Sequence, residues 1–179
     1  MLEVFYFIFC SKEDILGGHR IGYLVLETEE VRRNLEIRAF EEGDLKRCQE
    51  IAGSVVDYAH VLDLKASHII VAEDEGNVVG FGFIHVWQWN KVAWIGDLVV
   101  DERHRGRGIG TKLVQHLAKV AKSNGCIALM DDPPPKHPVI GFYLRHGFRF
   151  CGYNDSYFAN PRNRMAVFLC LDIREGDSL

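Results

Sequence analysis

The sequence predicts a mixed α/β fold in a single domain. Short apolar runs bounded by turn residues dominate residues 69–100, helical spacing takes over from Ile109, and short apolar runs return after Gly125. With 179 residues, 47% of them apolar, the chain can bury one sizeable core and is short for two, and no segment repeats another.

Residues 1–34 read as an N-terminal extension and 35–179 as the domain. The apolar runs 4–9 and 21–26 flank the turn-like Leu16-Gly17-Gly18-His19. That pattern is open to a hairpin packed on the domain, a segment ordered in a homodimer, or a start at an upstream codon. Leu35-Glu36-Ile37-Arg38 is an extended run, and Asp44 is the expected N-cap of an amphipathic helix reaching about Ala59. Ile69–Ala72 and Val78–Trp89 flank the turn Asp74-Glu75-Gly76-Asn77 as a hairpin. A second turn at Asn90-Lys91 folds Val92–Val100 back, setting Trp87 opposite Trp94 and Ile84 opposite Asp97 unless a bulge shifts the register. Ile109, Leu113, Leu117, Val120 and Ala121 then share one helical face, and Gly125 is the stop. A strand at Ile127–Met130, the loop Pro133-Pro134-Pro135, a short helix through Phe142-Tyr143-Leu144, and strands near Phe148–Tyr153 and Met165–Leu171 follow.

The 25 acidic and 21 Lys plus Arg residues leave a formal charge of −4, which argues against a nucleic-acid partner or an anionic membrane. The run Val4–Phe9 is too short to span a bilayer and lacks the flanks of a signal peptide. Five cysteines without a C-x-x-C pair suit neither a disulfide framework nor a zinc ribbon, and a reducing, cytoplasmic setting is expected.

The most informative segment is Arg105-Gly106-Arg107-Gly108-Ile109-Gly110, three alternate glycines where a strand passes into a helix. Missing side chains expose backbone N–H groups, the helix start adds partial positive charge, and two arginines add full charges. A diphosphate is the fitting ligand. Thr111-Lys112 after Gly110 departs from a Walker A loop, and Thr111 stands where a dinucleotide loop needs its third glycine. A turn that merely joins strand to helix, or an arginine-glycine RNA-binding run, stays open on these residues alone.

The strand Trp94–Val100, the R-x-x-G-x-G loop, the amphipathic helix and Gly141-Phe142-Tyr143-Leu144-Arg145-His146-Gly147-Phe148 together resemble the GNAT superfamily of N-acyltransferases, over roughly Leu35 to Ile173. The resemblance implies a mixed, mostly antiparallel central sheet flanked by helices, with acetyl-CoA as acetyl donor. It assigns coenzyme contacts to Leu98, Val99, Val100, Arg105, Gly106, Arg107, Gly108, Ile109, Gly110 and Thr111, with an oxyanion-stabilising N–H on Leu98–Val100. Asp97-Leu98-Val99-Val100, Cys151-Gly152-Tyr153-Asn154-Asp155 and Tyr157-Phe158-Ala159-Asn160 further resemble the streptothricin acetyltransferases, which acetylate a small polyamine antibiotic.

Acetyl transfer to an amine needs a free-base nucleophile, a held oxyanion and a proton for the thiolate. An alkylammonium has a pKa near ~10.4, so a carboxylate, directly or through water, must help to remove protons. Asp97 is the first candidate base, against a salt-bridged strand aspartate. Gly96 stands where relatives often carry glutamate, which leaves one acid there instead of two. Asp131 and Asp132 are candidate ligands of a cationic substrate or members of a relay, against a loop cap. Tyr143 matches the tyrosine that protonates the thiolate in many relatives, against a core tyrosine. Lys136 takes the place of a coenzyme-contacting asparagine. Trp87 is the candidate substrate-binding aromatic, with Trp89, Tyr153, Tyr157 and Phe158 as further members of an acceptor pocket. His85 and His137 lack any metal-binding spacing, and no metal is expected. These residues suit an enzyme acetylating a small-molecule amine. A protein N-terminus or lysine as acceptor, and a non-catalytic acyl-CoA-binding module, are the alternatives.

Overall fold

The computed structural model describes residues 35–53, 67–159 and 164–174. The expected hairpin of residues 1–34 lies outside them, and the first helix, expected to reach about Ala59, ends at Ala52, where Gly53 takes a left-handed φ of 59° and caps it on the Gln49 carbonyl. The strands are β1 (Leu35–Ala39), β2 (Ser67–Asp74), β3 (Asn77–Trp87), β4 (Val92–Val100), β5 (Ala128–Asp131), β6 (Arg149–Asn154) and β7 (Ala166–Asp172). The α-helices are α1 (Leu45–Ala52), α2 (Ile109–Ser123) and α3 (Val139–Arg145). The strands form one sheet in the order β1-β2-β3-β4-β5-β7-β6. Among the described residues only β4 and β5 run parallel; the other pairings are antiparallel, as the resemblance implied. No helix among them is long and apolar enough to cross a membrane.

The helical face expected from the sequence is the one buried. Leu113, Leu117 and Ala121 of α2 pack with Ile84, Val86, Ala93 and Ile95 on one side of the sheet. Each fully buried leucine contributes about 2 kcal/mol. Gly125 ends α2 with a φ of 75°, where Cys126 N–H reaches back to Ala121 O at 3.0 Å in a left-handed C-terminal cap. On the other side, Cys48 of α1 packs with Val71, Phe81 and Phe83. Asp44 does occupy the N-cap of α1 but makes no side-chain cap bond. Its carboxylate turns back, taking the Glu41 N–H at 2.8 Å and both ends of the Arg38 guanidinium at 2.7 and 2.9 Å. Arg38 also donates to Glu73 at 2.7 Å, so one guanidinium ties β1, β2 and the start of α1 together.

The two hairpins differ. Between β2 and β3, Glu75 and Gly76 both have positive φ, 51° and 78°, the tight two-residue turn that matches strand twist. Between β3 and β4 the expected two-residue turn is replaced by residues 88–91, because Trp87 pairs with Val92. Asn90 accepts the Val92 N–H at 3.2 Å and Lys91 takes a φ of 56°, closing the longer loop. Trp94 therefore faces His85 rather than Trp87, and Asp97 faces Phe83 rather than Ile84. A bulge then takes back one residue of that shift: Ile84 pairs with Ile95 and Phe83 with Asp97, leaving Gly96 as the extra residue.

Only glycine fits at that bulge. A Cβ on residue 96 would lie 1.9 Å from the ring of Phe83, which is buried in the α1 layer. Gly96→Ala should lower unfolding stability by about 1–3 kcal/mol, the usual cost of overpacking. Urea unfolding would measure it, and pairing the change with Phe83→Leu should restore part of the loss.

Candidate active site

Beyond the Gly96 bulge β4 parts from β5. Their parallel ladder covers only Val92, Ala93 and Trp94 against Ala128, Leu129 and Met130. The Val99 and Asp97 carbonyls point toward β3, each close to the position a Cβ would take on Gly80 or Gly82. Strand alternation then turns the backbone N–H and C=O of Leu98 and Val100 toward the gap. The Val100 carbonyl accordingly accepts the Arg105 guanidinium at 3.2 Å instead of a β3 donor. Of the three strand residues expected at the coenzyme, Leu98 and Val100 offer their main chain to the opening and Val99 does not.

The glycine loop lies at the other end of this opening. Gly106 and Gly108 have φ of 79° and 78°, a conformation that side-chain-bearing residues rarely adopt, and nothing lies within 4 Å of a Cβ built on either. Gly108 is the N-cap of α2 without any side-chain cap, and the first intrahelical bond is Lys112 N–H to Gly108 O at 3.1 Å. The N–H groups of Ile109, Gly110 and Thr111 therefore have no partner within the helix. An uncapped helix start beside an open glycine turn fits a phosphate-bearing ligand. Gly110 serves packing, since its Cβ would sit 3.4 Å from the Phe142 ring of α3. The Thr111 hydroxyl is bonded to His146 Nε2 at 2.9 Å, while His146 Nδ1 meets the Phe142 carbonyl at 2.8 Å. Because that carbonyl can only accept, Nδ1 carries the proton, and in a neutral ring Thr111 donates to Nε2.

Two anchors of this loop were not read from the sequence. Asp101 N–H donates to Val79 O at 2.9 Å, and its carboxylate takes the Arg103 N–H at 3.0 Å and the Arg47 guanidinium from α1. The Arg103 guanidinium first, then its N–H and the Arg47 guanidinium, hold the Asp101 carboxyl well below the usual carboxylate range. An aspartate directly before a turn was a signal for the local bond. Nothing in the sequence marked Arg47, 54 residues away, or the His146–Thr111 link. Lys136 takes a φ of 74° in the turn that leads into α3.

Acidic groups gather at the C-terminal end of β5. Asp131 ends β5, pairing across the sheet with Leu169, and Asp132 follows directly after it. Asp131 and the Tyr143 hydroxyl of α3 lie near enough to act on each other's protonation. Burial, followed by the charges of Asp132 and Asp97, pushes the Asp131 carboxyl up to about 7. Tyr143 is 2% exposed, its ring against Phe148 at 4.8 Å between centroids. Burial and the Asp131 charge raise its phenol well above 10, so it is a proton donor at neutral pH. The sequence offered core or catalysis for Tyr143; it is buried, and the charges of Asp131 and Asp97 act on its phenol.

Asp132 accepts the Tyr157 hydroxyl at 2.6 Å and is raised by burial. Tyr157, pushed up to about 12 by burial and then by Asp132, stacks edge-on to Phe158 and to Phe168, which in turn meets Trp94. Tyr157 and Phe158 thus belong with the acids. Trp87 does not: it is half exposed at the hairpin end of β3, opposite Val92, five strand positions or roughly 16 Å from Asp97. Trp89 and Tyr153 are exposed, in the hairpin turn and on edge strand β6.

A seven-stranded sheet that splits beside an uncapped glycine loop matches a known class. The profile described as the acetyltransferase (GNAT) family covers residues 32–148, and the chain belongs to that family, the class of acetyl-CoA-dependent N-acetyltransferases. Among curated relatives it is 31% identical to streptothricin acetyltransferase of Streptomyces lavendulae over 57% of this chain and 54% of that protein. It is 30% identical to glucosamine 6-phosphate N-acetyltransferase of Trypanosoma brucei brucei over 65% of this chain and 90% of that one. The chain thus spans about half the length of the first of these and most of the second. The fold also matches a protein of Bacillus anthracis str. Ames, described as a streptothricin acetyltransferase and crystallised in complex with acetyl coenzyme A. That match has a TM-score of 0.66 and 21% identity, covering 77% of this chain and 97% of the other.

Asp101→Ala removes the carboxylate that ties the start of the glycine loop to Arg47 of α1 and leaves the main-chain bond to β3 in place. The variant is expected to melt at a lower temperature and to bind coenzyme A roughly tenfold more weakly, because a loosened loop must be ordered by the ligand. Differential scanning fluorimetry and titration calorimetry would measure the two effects.

Proposed function

We propose that the chain transfers the acetyl group of acetyl-CoA to a primary amine of a small molecule, by direct attack of the amine on the thioester. The observation that carries this reading is the opening between β4 and β5, with the uncapped start of α2 at one end and Tyr143, Asp97, Asp131 and Asp132 at the other. In this reading residues 35–179 act as one acetyltransferase domain. The coenzyme diphosphate lies on the N–H groups of Ile109, Gly110 and Thr111 beside Gly106 and Gly108, with Arg105 and Arg107 adding positive charge. Leu98 and Val100 present main-chain donors to the thioester arm, and one such N–H holds the oxyanion. Tyr143, protonated at neutral pH, supplies the proton that the leaving thiolate needs.

The acids favour a cationic acceptor. Asp97, Asp131 and Asp132 act electrostatically on one another or on Tyr143, and together they draw an alkylammonium toward the thioester. Relatives named for acetylating streptothricin and glucosamine 6-phosphate support a small amine over a protein chain.

Incubation with acetyl-CoA and a panel of small amines should release free thiol, with peptides bearing free N-termini or lysines as poorer acceptors. Tyr143→Phe should lower kcat by about a hundredfold or more while coenzyme A still binds, the range expected for losing a general acid. Binding without thiol release across the panel would leave only a coenzyme-binding role.

A further inference from the structure

β6 is the last strand of the sheet, beyond β7, and among the described residues no strand lies on its outer side. All six of its residues are exposed. Such an edge presents a row of main-chain N–H and C=O groups to any strand that reaches it, and proteins commonly guard it with charged side chains or proline. Between Arg149 and Asp155 this edge carries neither, since the run is Phe150-Cys151-Gly152-Tyr153-Asn154.

The pairing of β6 with β7 has an irregular step: Phe150 stands opposite Leu169 and Gly152 opposite Phe168, leaving Cys151 as the extra residue. In a regular strand residues 150 and 153 would point to opposite faces. With the extra residue, Phe150 opposite Leu169 and Tyr153 opposite Val167 share one face, the one on which Leu169 packs with α2. Phe150 is 55% and Tyr153 69% exposed, and with Met165 and Val167 they line an open apolar groove.

The main chain points the same way. Val167 N–H donates to Pro133 O at 3.0 Å and Ile173 N–H to Ile127 O at 3.0 Å, away from β6. Strand alternation gives Leu169 that direction too, so Phe150 and Tyr153, opposite Leu169 and Val167, turn their own N–H and C=O to the outer edge. An exposed ring and outward main-chain groups therefore coincide at two residues of one strand.

The chemistry that matches this strand is the same strand run backwards. We propose that β6 pairs antiparallel with β6 of a second copy, about a two-fold axis between Cys151 and Gly152, so that two sheets join into one. In that register Phe150 of each copy stands opposite Tyr153 of the other, on a shared face, where main-chain bonds and ring contacts form together. Arg149, itself bonded to Asp172 at 3.0 Å, comes opposite Asn154 and next to Asp155 of the other copy. A parallel copy would instead set Arg149 against Arg149, which like charges oppose. One patch serves both copies, as a closed two-fold contact requires. β5 and β7 separate this edge from β4, and the pairing stands whether or not the chain transfers acetyl groups.

Sedimentation equilibrium of the full chain should give the mass of two chains, with dissociation on dilution. Tyr153→Lys and Phe150→Lys each set a charge against a ring of the second copy and should weaken the dimer by about tenfold or more. Trp89→Lys, at an equally exposed aromatic in the β3–β4 turn, should leave it unchanged. Cys151 is exposed while Cys48, Cys126 and Cys170 are buried, so a short bismaleimide should join two chains of the wild type and fail to do so in Cys151→Ser. A wild type that stays monomeric overturns the pairing and leaves the edge to a strand of another protein. A dimer that both lysine variants leave intact, or that Trp89→Lys weakens as much, overturns it as well. Where the lysine variants fail to fold, the wild-type crosslink decides: its absence, or its persistence in Cys151→Ser, overturns the pairing.

Discussion

Phe83 fills the space over Gly96, and β4 accommodates that ring by carrying one residue more than β3 opposes to it. A bulge bends and twists its strand, and from this point β4 no longer follows β5. Main-chain groups that a continuous sheet would pair are left facing an opening, at Leu98 and Val100. Such groups are costly to bury without partners, so they define a place for a ligand with its own amides and carbonyls. A glutamate at residue 96 has no room while Phe83 stays in place. The same contact that opens the sheet therefore removes one acid from β4 and leaves the acid chemistry to the end of β5.

That end is electrostatically expensive. Raising Asp131 from 3.8 to about 7 is roughly three pK units, or about 4 kcal/mol against the ionised form. The sign is that of a carboxyl which binds its proton more tightly when folded. Its contribution favours the fold below the unfolded value near 4 and is lost as pH rises toward about 7. A structural aspartate would be poorly placed here, and a hydrophobic residue would serve the core better. The cost is met elsewhere, by the α2 layer of Leu113, Leu117 and Ala121 and by the Arg38 link between β1, β2 and α1. Asp132, one residue on, lies just beyond the strand and accepts the Tyr157 hydroxyl. Two neighbouring acids thus enter different surroundings, one coupled to a buried phenol and one to an aromatic surface.

The glycine loop is held by contacts made outside it. Asp101 joins it to β3 and, through Arg47, to α1, while Thr111 and His146 join the start of α2 to the end of α3. Gly110 lies against α3, where a Cβ would meet the Phe142 ring at ordinary contact distance, 3.4 Å. The loop and Tyr143 therefore sit on parts of the molecule that brace each other, and packing sets the distance between the glycine turn and the phenol.

Much of this was legible in the residues themselves. Helical spacing marked the buried face of α2, alternate glycines at a strand-to-helix junction marked a left-handed turn before an uncapped helix, and Gly141–Phe148 marked the helix that carries Tyr143, because each of these is a local pattern with a local cause. Register was less legible: the turn at Asn90-Lys91 looked like a two-residue hairpin, and only the bonding of Asn90 and the pressure of Phe83 on Gly96 show where the strands settle. Trp87 looked like a pocket residue and sits at the far end of its hairpin for that reason. The ranking of the acids also needed the fold. Asp97 and Asp131 are both aspartates near predicted strand ends, and their sequence neighbours do not say which is buried, which meets a phenol, or which charge raises the other. Those properties depend on desolvation and on groups brought together from β4, β5 and α3, and distance in space, which the sequence does not carry, decides them.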